Sequence, residues 1–183
     1  MEKRNLTLLT DLYELTMMNG YYLKGMTDEV AVFDVFFRRK ELITYSLAAG
    51  LEQVVDYVLG LNFGEEEIAY LKKLNIFDEG FLNYLKNLKF SGDIYSVPEG
   101  TMVFPGEPIL TVKAPVIEAQ LIETAILNMI NHQTLIATKS AKVCRAAQGD
   151  NVMEFGLRRA QGPDAGIYGA RAAIIGGCNS TSN

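Results

Sequence analysis

The segment VMEFGLRRAQGPDAGIYGARAAIIGG, residues 152–177, sets an aromatic residue, a glycine and two adjacent arginines directly after a short apolar run. A guanidinium at the end of a strand is suited to grip a carboxylate or phosphate through two parallel hydrogen bonds. Phe155 offers an aromatic face to a ring, and Gly156 is expected to let the backbone turn sharply after it. In parallel α/β folds ligands collect outside the carboxyl ends of the strands, where this loop would lie. Spacing alone leaves a second, commoner reading open: Arg158 and Arg159 pair with surface acids and Phe155 fills the core. Arg38, Arg39 and Lys40 close another strand-like stretch, and by themselves read as a solvated strand end that blunts pairing. The final GGCNSTSN is rich in small polar groups yet carries no phosphate-loop pattern, so an ordinary loop and helix cap is the better reading. His132 is the single histidine, set between two expected helices in a structural role. With one histidine and no paired cysteines, no zinc-type metal site is expected. No nucleophile elbow and no serine–histidine triad set is present.

The elements that would position these groups are legible from periodicity. TDLYELTMMNGYYLKG reads as a helix capped by Thr10 or Asp11 and ended by Gly25, with Leu12, Leu15 and Met18 on one face and Tyr13, Met17 and Gly20 on another. EVAVFDVFFRR alternates like a strand. TYSLAAGLEQVVDYVLGL, GEEEIAYLKKL and EGFLNYLKNL read as helices, the second with acids in its first turn and lysines in its last, as the helix dipole favours. Four of the five prolines fall between Pro98 and Pro115, breaking DIYSV, TMVF and ILTVKA into short strands. Two long helices are expected next. Ile117, Leu121, Ile122, Ala125, Met129 and Ile130 stripe the first, and Ile136, Ser140, Val143 and Ala147 the second. A buried strand at NVMEF, a small-residue helix suited to pack on a sheet, and a strand edge at CNSTS complete a βα unit.

These readings define an α/β chain with residues 1–150 as an N-terminal domain: a helical lobe 1–90, a small β unit 91–115 and a helix pair 116–149. Residues 151–183 form a first βα unit. The 183 residues are 49% hydrophobic, enough for a real core. Seventeen basic against 22 acidic side chains give a net charge of −5, which argues against general nucleic-acid or membrane-surface binding. An anionic ligand would then need a local cluster of basic groups. Cys144 and Cys178 read as free, partly buried thiols of a reducing compartment. No signal peptide or membrane-length apolar run is present, so a cytoplasmic location is expected. Asn183 looks like the entry to a further helix, which suggests that the chain is a fragment.

Taken in order, the blocks LLTDLYELTMMNGYY, FDVFFRRKE, LAAGLEQVVDYV, VPEGTMVFPGEPILTV, QLIETAILNMINHQTLIATKSAKV, EFGLRRAQGPDAGIYGARAAIIGG and STSN resemble the nicotinate phosphoribosyltransferase family. The likeness covers essentially the whole chain. It implies an N-terminal domain of helices and a β unit packed on an irregular α/β barrel, of which residues 151–183 would be only the start. It implies ATP-coupled transfer of a phosphoribosyl group from phosphoribosyl pyrophosphate to nicotinate, with Mg2+, in NAD salvage. It also implies a homodimer with shared active sites.

On that resemblance, Tyr13 would stack on the pyridine ring from the neighbouring subunit and Phe155 would cover its other face. Arg158 would contact substrate phosphate or the nicotinate carboxylate. Arg38 or Arg39 would reach the phosphoribosyl pyrophosphate across the dimer. Asn179 would line the substrate site where many relatives carry aspartate. The catalytic, phosphorylated histidine of the family would lie beyond Asn183, and His132 does not match its motif. The 183 residues alone are expected to be inactive and prone to aggregate, because a barrel with one βα unit leaves strand edges open. The alternatives are a nicotinamide- or quinolinate-using relative, or a non-catalytic module like the biotinyl and lipoyl carriers built on Gly92–Ala114. The second lacks the lysine at a hairpin tip that such carriers need.

Overall fold

A computed structural model describes residues 4–39 and 44–182; Lys40 and Asn183 lie outside them. The chain divides into two compact units. One comprises residues 1–33, 54–95 and 111–126, the other 34–53, 96–110 and 127–183.

In the first unit, α1 spans Leu12–Leu23 and Gly25 beyond it has φ +70°. Leu15 and Met18 are buried as the periodicity requires, but Leu12 is exposed and the Glu14 carboxylate takes the inward place. Glu14 is tolerated there because Thr10 and Thr124 donate to it at 2.7 and 2.8 Å. Helices α3 (Glu65–Leu74) and α4 (Glu79–Asn87) appear where the pattern put them. Asp78 accepts from Gly80 N and Phe81 N, capping α4. Phe81, fully buried, meets the ring of Tyr22 at 5.9 Å.

Strands β1 (Val30–Val35), β3 (Asp93–Ser96) and β5 (Leu110–Pro115) form a sheet in the order β1-β5-β3. The segment 91–115 is therefore not a self-contained β unit: its last strand sits between β1 and β3. Two further expectations are corrected. The stretch TYSLAAGL does not begin a helix. Ser46–Leu47 is strand β2, antiparallel to β4 (Met102–Val103), and α2 starts only at Leu51. Gly50, at φ +110°, breaks the helical path between them. The expected helix pair 116–149 is a single helix, α5, over Val116–Ala146. No glycine or proline interrupts it, and the polar run at its middle is satisfied in place.

The first apolar stripe of α5 is buried throughout, from Ile117 to Ile130. The second is not the one expected. The inward residues are Gln133, Thr134, Ala137 and Thr138, while Val143 is exposed. The two threonines serve backbone groups of the β2–α2 connection: Thr138 Oγ1 accepts from Leu47 N at 2.9 Å and Thr134 Oγ1 donates to Ala49 O at 3.1 Å.

In the second unit, β6 (Met153–Glu154) pairs in parallel with β7 (Ser180–Thr181), joined by α6 (Pro163–Ile175). Strand β6 is two residues long and not buried. A sheet this small cannot cover a helix, so the small residues of α6 pack on α5 instead. Ala172 clusters with Ala49 and Ala137, and a Cβ on Gly176 would strike Ala137 O.

Arg171 is the one guanidinium of α6. It donates to both carboxylate oxygens of Glu99, at 2.9 and 2.5 Å, to Glu52 at 2.9 and 2.5 Å, and to Gln133 Oε1 at 3.1 Å. Glu99, in the Pro98–Gly100 turn, also accepts from Gly50 N and Leu51 N at 2.6 and 3.0 Å, and so caps α2. The Arg171 guanidinium, helped by these N–H groups, holds the Glu99 carboxyl below its ordinary range, although partial burial opposes the shift.

Replacing Arg171 by Met leaves a half-buried carboxylate unpaired and should cost about 2–3 kcal/mol in denaturant unfolding of the full-length protein. A depressed folded pKa stabilises above the unfolded value and loses that contribution as pH falls through the folded one. The stability gap between wild type and Glu99→Gln should therefore be fully open at neutral pH and narrow below about pH 4. A gap that is independent of pH between 7 and 3 would contradict this.

Candidate functional site

Parallel pairing sets Met153 opposite Ser180 and Glu154 opposite Thr181. Both strands then end on the same side, where Phe155–Arg159 and Ser182 emerge. The Glu154 carboxylate fixes this edge. It accepts from Gly156 N and from Thr181 Oγ1, the latter at 2.9 Å, while its carbonyl accepts from Ser182 N at 3.1 Å. Gly156 has φ −90° and ψ −8°, an ordinary right-handed conformation. What it supplies is room and not a special turn: a Cβ there would stand 2.6 Å from Glu154 Oε1.

Leu157–Arg159 is a 3-10 turn, closed by Arg159 N donating to Gly156 O at 2.8 Å. Phe155 is 57% exposed, against the reading that it fills the core. Arg158 and Arg159 are exposed, and the Arg159 side chain reaches Phe155 O at 3.4 Å.

Beside the turn is a polar hollow of about 610 Å³, lined by Asn128, His132, Glu154, Gly156, Arg159 and the first turns of α6. Arg159 lines it, whereas Phe155 and Arg158 stand on the same loop outside its lining. His132 lies inside the continuous α5, and its Nε2 is 3.2 Å from Ala165 O. It thus has a structural partner, as expected, while also facing the hollow. A second, apolar hollow of about 580 Å³ is lined by Val35, Phe37, Arg38, Ser46, Leu127 and Asn128, among others. Arg38 and Arg159 therefore belong to different hollows that share Asn128. Arg39 is exposed beyond β1 and lines neither.

Asn179 is engaged with the backbone. Its Oδ1 accepts from Val152 N, and its own N–H donates to Val152 O, both at 2.9 Å. This pair extends the β6–β7 ladder. In the other unit, Tyr13 is 55% exposed on α1, and its hydroxyl donates to Glu14 at 3.2 Å. The Glu14 charge raises its pKa above the ordinary phenol value. Tyr57 is pushed up more strongly, by burial first and Glu14 second.

Arginines beside an exposed ring, at the carboxyl ends of parallel strands, can hold an anion and stack a planar ring. The sequence offers Arg158 and Arg159 together as anion-gripping groups, the family resemblance singles out Arg158 alone, and neither points to Glu154 or Arg171. The signal for Arg171 was available: it is the lone cation in a helix of small residues. Among the described residues, no group of three or more His, Cys, Asp or Glu side chains is placed to hold a metal ion. No helix among them is long and apolar enough to cross a membrane.

The family described as nicotinate phosphoribosyltransferase (NAPRTase) N-terminal domain matches residues 8–131. A nicotinate phosphoribosyltransferase of Bacillus subtilis is 46% identical over 181 residues, covering 98% of this chain and 37% of the relative. One of Mycobacterium tuberculosis is 44% identical over 177 residues, covering 96% and 38%. The crystal structure of human nicotinic acid phosphoribosyltransferase superposes with a TM-score of 0.87 at 35% identity, over 96% of this chain and 36% of that one. A nicotinate-nucleotide pyrophosphorylase from Pyrococcus furiosus, at 23% identity and a TM-score of 0.76, shares the fold. The chain thus spans little more than a third of the length of the relatives it matches. The matched region takes in Gly92–Ala114, which removes the carrier-module alternative. The chain belongs to the nicotinate phosphoribosyltransferase family.

Proposed function

We propose that this chain provides the N-terminal domain and the first βα unit of an α/β barrel in an enzyme joining nicotinate to phosphoribosyl pyrophosphate. The products are nicotinate mononucleotide and pyrophosphate. The observation that carries the reading is the loop Phe155–Arg159, an exposed aromatic ring with arginines at the carboxyl end of β6, in a chain of this family.

The pyridine nitrogen attacks C1 of the ribose as the bond to the pyrophosphate oxygen breaks. Positive charge builds on the sugar and negative charge on the leaving group. Phe155 covers one face of the pyridine ring. The guanidiniums of Arg158 and Arg159 hold the anionic groups, which keeps nucleophile and leaving group in line and stabilises developing charge. Arg159 joins Arg158 in this role because it lines the hollow. Arg38 or Arg39 reaches the phosphoribosyl pyrophosphate across the dimer, and Tyr13 of a second copy closes the other ring face, which makes the enzyme a homodimer. Asn179, just before β7 and with its side-chain oxygen committed to Val152, keeps β7 in register with β6.

Magnesium accompanies the pyrophosphate as part of the substrate. ATP coupling, through a histidine outside these 183 residues, and a cytoplasmic place in NAD salvage belong to the same proposal.

In the full-length protein, Arg158→Ala and Arg159→Ala should each lower kcat/KM for nicotinate mononucleotide formation about 10²-fold, or roughly 3 kcal/mol. Phe155→Leu should raise KM for nicotinate more than it lowers kcat. Full activity in both arginine variants would remove the loop from the site. Turnover of nicotinamide or quinolinate in preference to nicotinate, measured with and without ATP, would replace the substrate assignment.

A further inference from the structure

Cys144 and Cys178 are separated by 34 residues and carry no recognisable spacing, yet their sulfurs lie 3.9 Å apart. Cys144 sits in the last turn of α5 and is half-buried; Cys178 is 8% exposed in the link between α6 and β7. Both backbones are held. Cys178 N donates to Ala173 O at 3.0 Å, Gly177 N to Ile174 O at 2.9 Å, and Asn179 is paired with Val152 on the other side. Gly177, next to Cys178, lies against Cys144: a Cβ there would make ordinary contact with Cys144 Cβ and Sγ at 3.8 and 3.9 Å. A covalent bond needs the sulfurs to close to about 2.05 Å, a shortening of about 2 Å.

We propose that Cys144 and Cys178 are a reversible intramolecular disulfide site, formed by exchange with a low-molecular-weight disulfide. Cys144, the more exposed thiol, attacks first as its thiolate. It forms a mixed disulfide and expels one small thiolate. Cys178 then loses its proton and attacks the Cys144 sulfur, expelling the second. Two protein thiols are oxidised and the small disulfide is reduced to two thiols, the expelled thiolates taking up the two protons that the protein thiols lose. Burial, and then the hydrogen bond with Cys144, raise the Cys178 pKa, which suits it to the second, intramolecular step, where proximity replaces thiolate abundance. The bond would enclose β6, the 3-10 turn and α6 in one covalent loop, tying the segment that carries Phe155, Arg158 and Arg159 to the end of α5.

The test is to incubate the folded full-length protein with excess glutathione disulfide, quench in acid, alkylate free thiols and digest. The expected result is a peptide pair joined through Cys144 and Cys178, with a loss of about 2 Da that dithiothreitol reverses. Cys178→Ser should stop at glutathione attached to Cys144, and Cys144→Ser should give no joined pair; Cys178→Ala replaces the first variant if it does not fold. Wild-type protein that accumulates glutathione on Cys144 without joining, or whose two thiols remain alkylatable after the unfolded chain has reacted, would overturn the proposal.

Discussion

The guanidinium of Arg171 is the interaction on which the second unit is organised. Its planar fork reaches the carboxylates of Glu99 and Glu52 and the amide of Gln133 from a helix that otherwise presents small residues. A lysine could satisfy only part of this geometry, because the site asks for donors in fixed directions. Through Glu99 the same charge reaches the first N–H groups of α2, where a helix start already favours an anion. One side chain thereby fixes where α2 begins, where the Pro98–Gly100 turn rests and how α6 meets α5.

That anchoring determines how the candidate site is held. Strands β6 and β7 are each two residues long and supply little pairing energy of their own. Their alignment depends on α6 being seated on α5 through Gly176, Ala172 and Ala137, and on Glu154 and Asn179 closing the strand ends with side-chain hydrogen bonds. The ring of Phe155 and the Arg158 and Arg159 side chains stand exposed, with Arg159 alone of the three reaching back to the loop, at Phe155 O. On the proposed reading, the exposed apolar ring of Phe155 costs stability that a bound pyridine would recover.

Local pattern carried much of this architecture. Helices α1, α3 and α4, the proline-broken strands and the stripe from Ile117 to Ile130 follow from periodicity and turn chemistry. The failures have a common cause. Gln133 and Thr134 look like part of a polar break between helices, yet with Thr138 they are the inward face of a continuous one: the threonines bond backbone groups of the β2–α2 connection and Gln133 meets Gln53 and Arg171. Ser46 and Leu47 fit a helical stripe, but pair with Val103 and Met102 across a long sequence separation. The closeness of Cys144 to Cys178 and the convergence of Glu52, Glu99 and Arg171 are likewise long-range facts that no local window contains. The candidate site was legible as a loop, EFGLRR. Which arginine lines the hollow was not, since that depends on the 3-10 turn following Gly156.

The central claim is that the loop at the carboxyl end of β6 receives the pyridine ring and its anionic partners. A crystal structure of the full-length protein with nicotinate mononucleotide bound tests it most directly. The expected result is the pyridine ring in van der Waals contact with Phe155, and an Arg158 or Arg159 guanidinium within hydrogen-bond distance of a phosphate or carboxylate oxygen. A nucleotide bound elsewhere, with Phe155 still solvent-exposed and both guanidiniums unliganded, would contradict it.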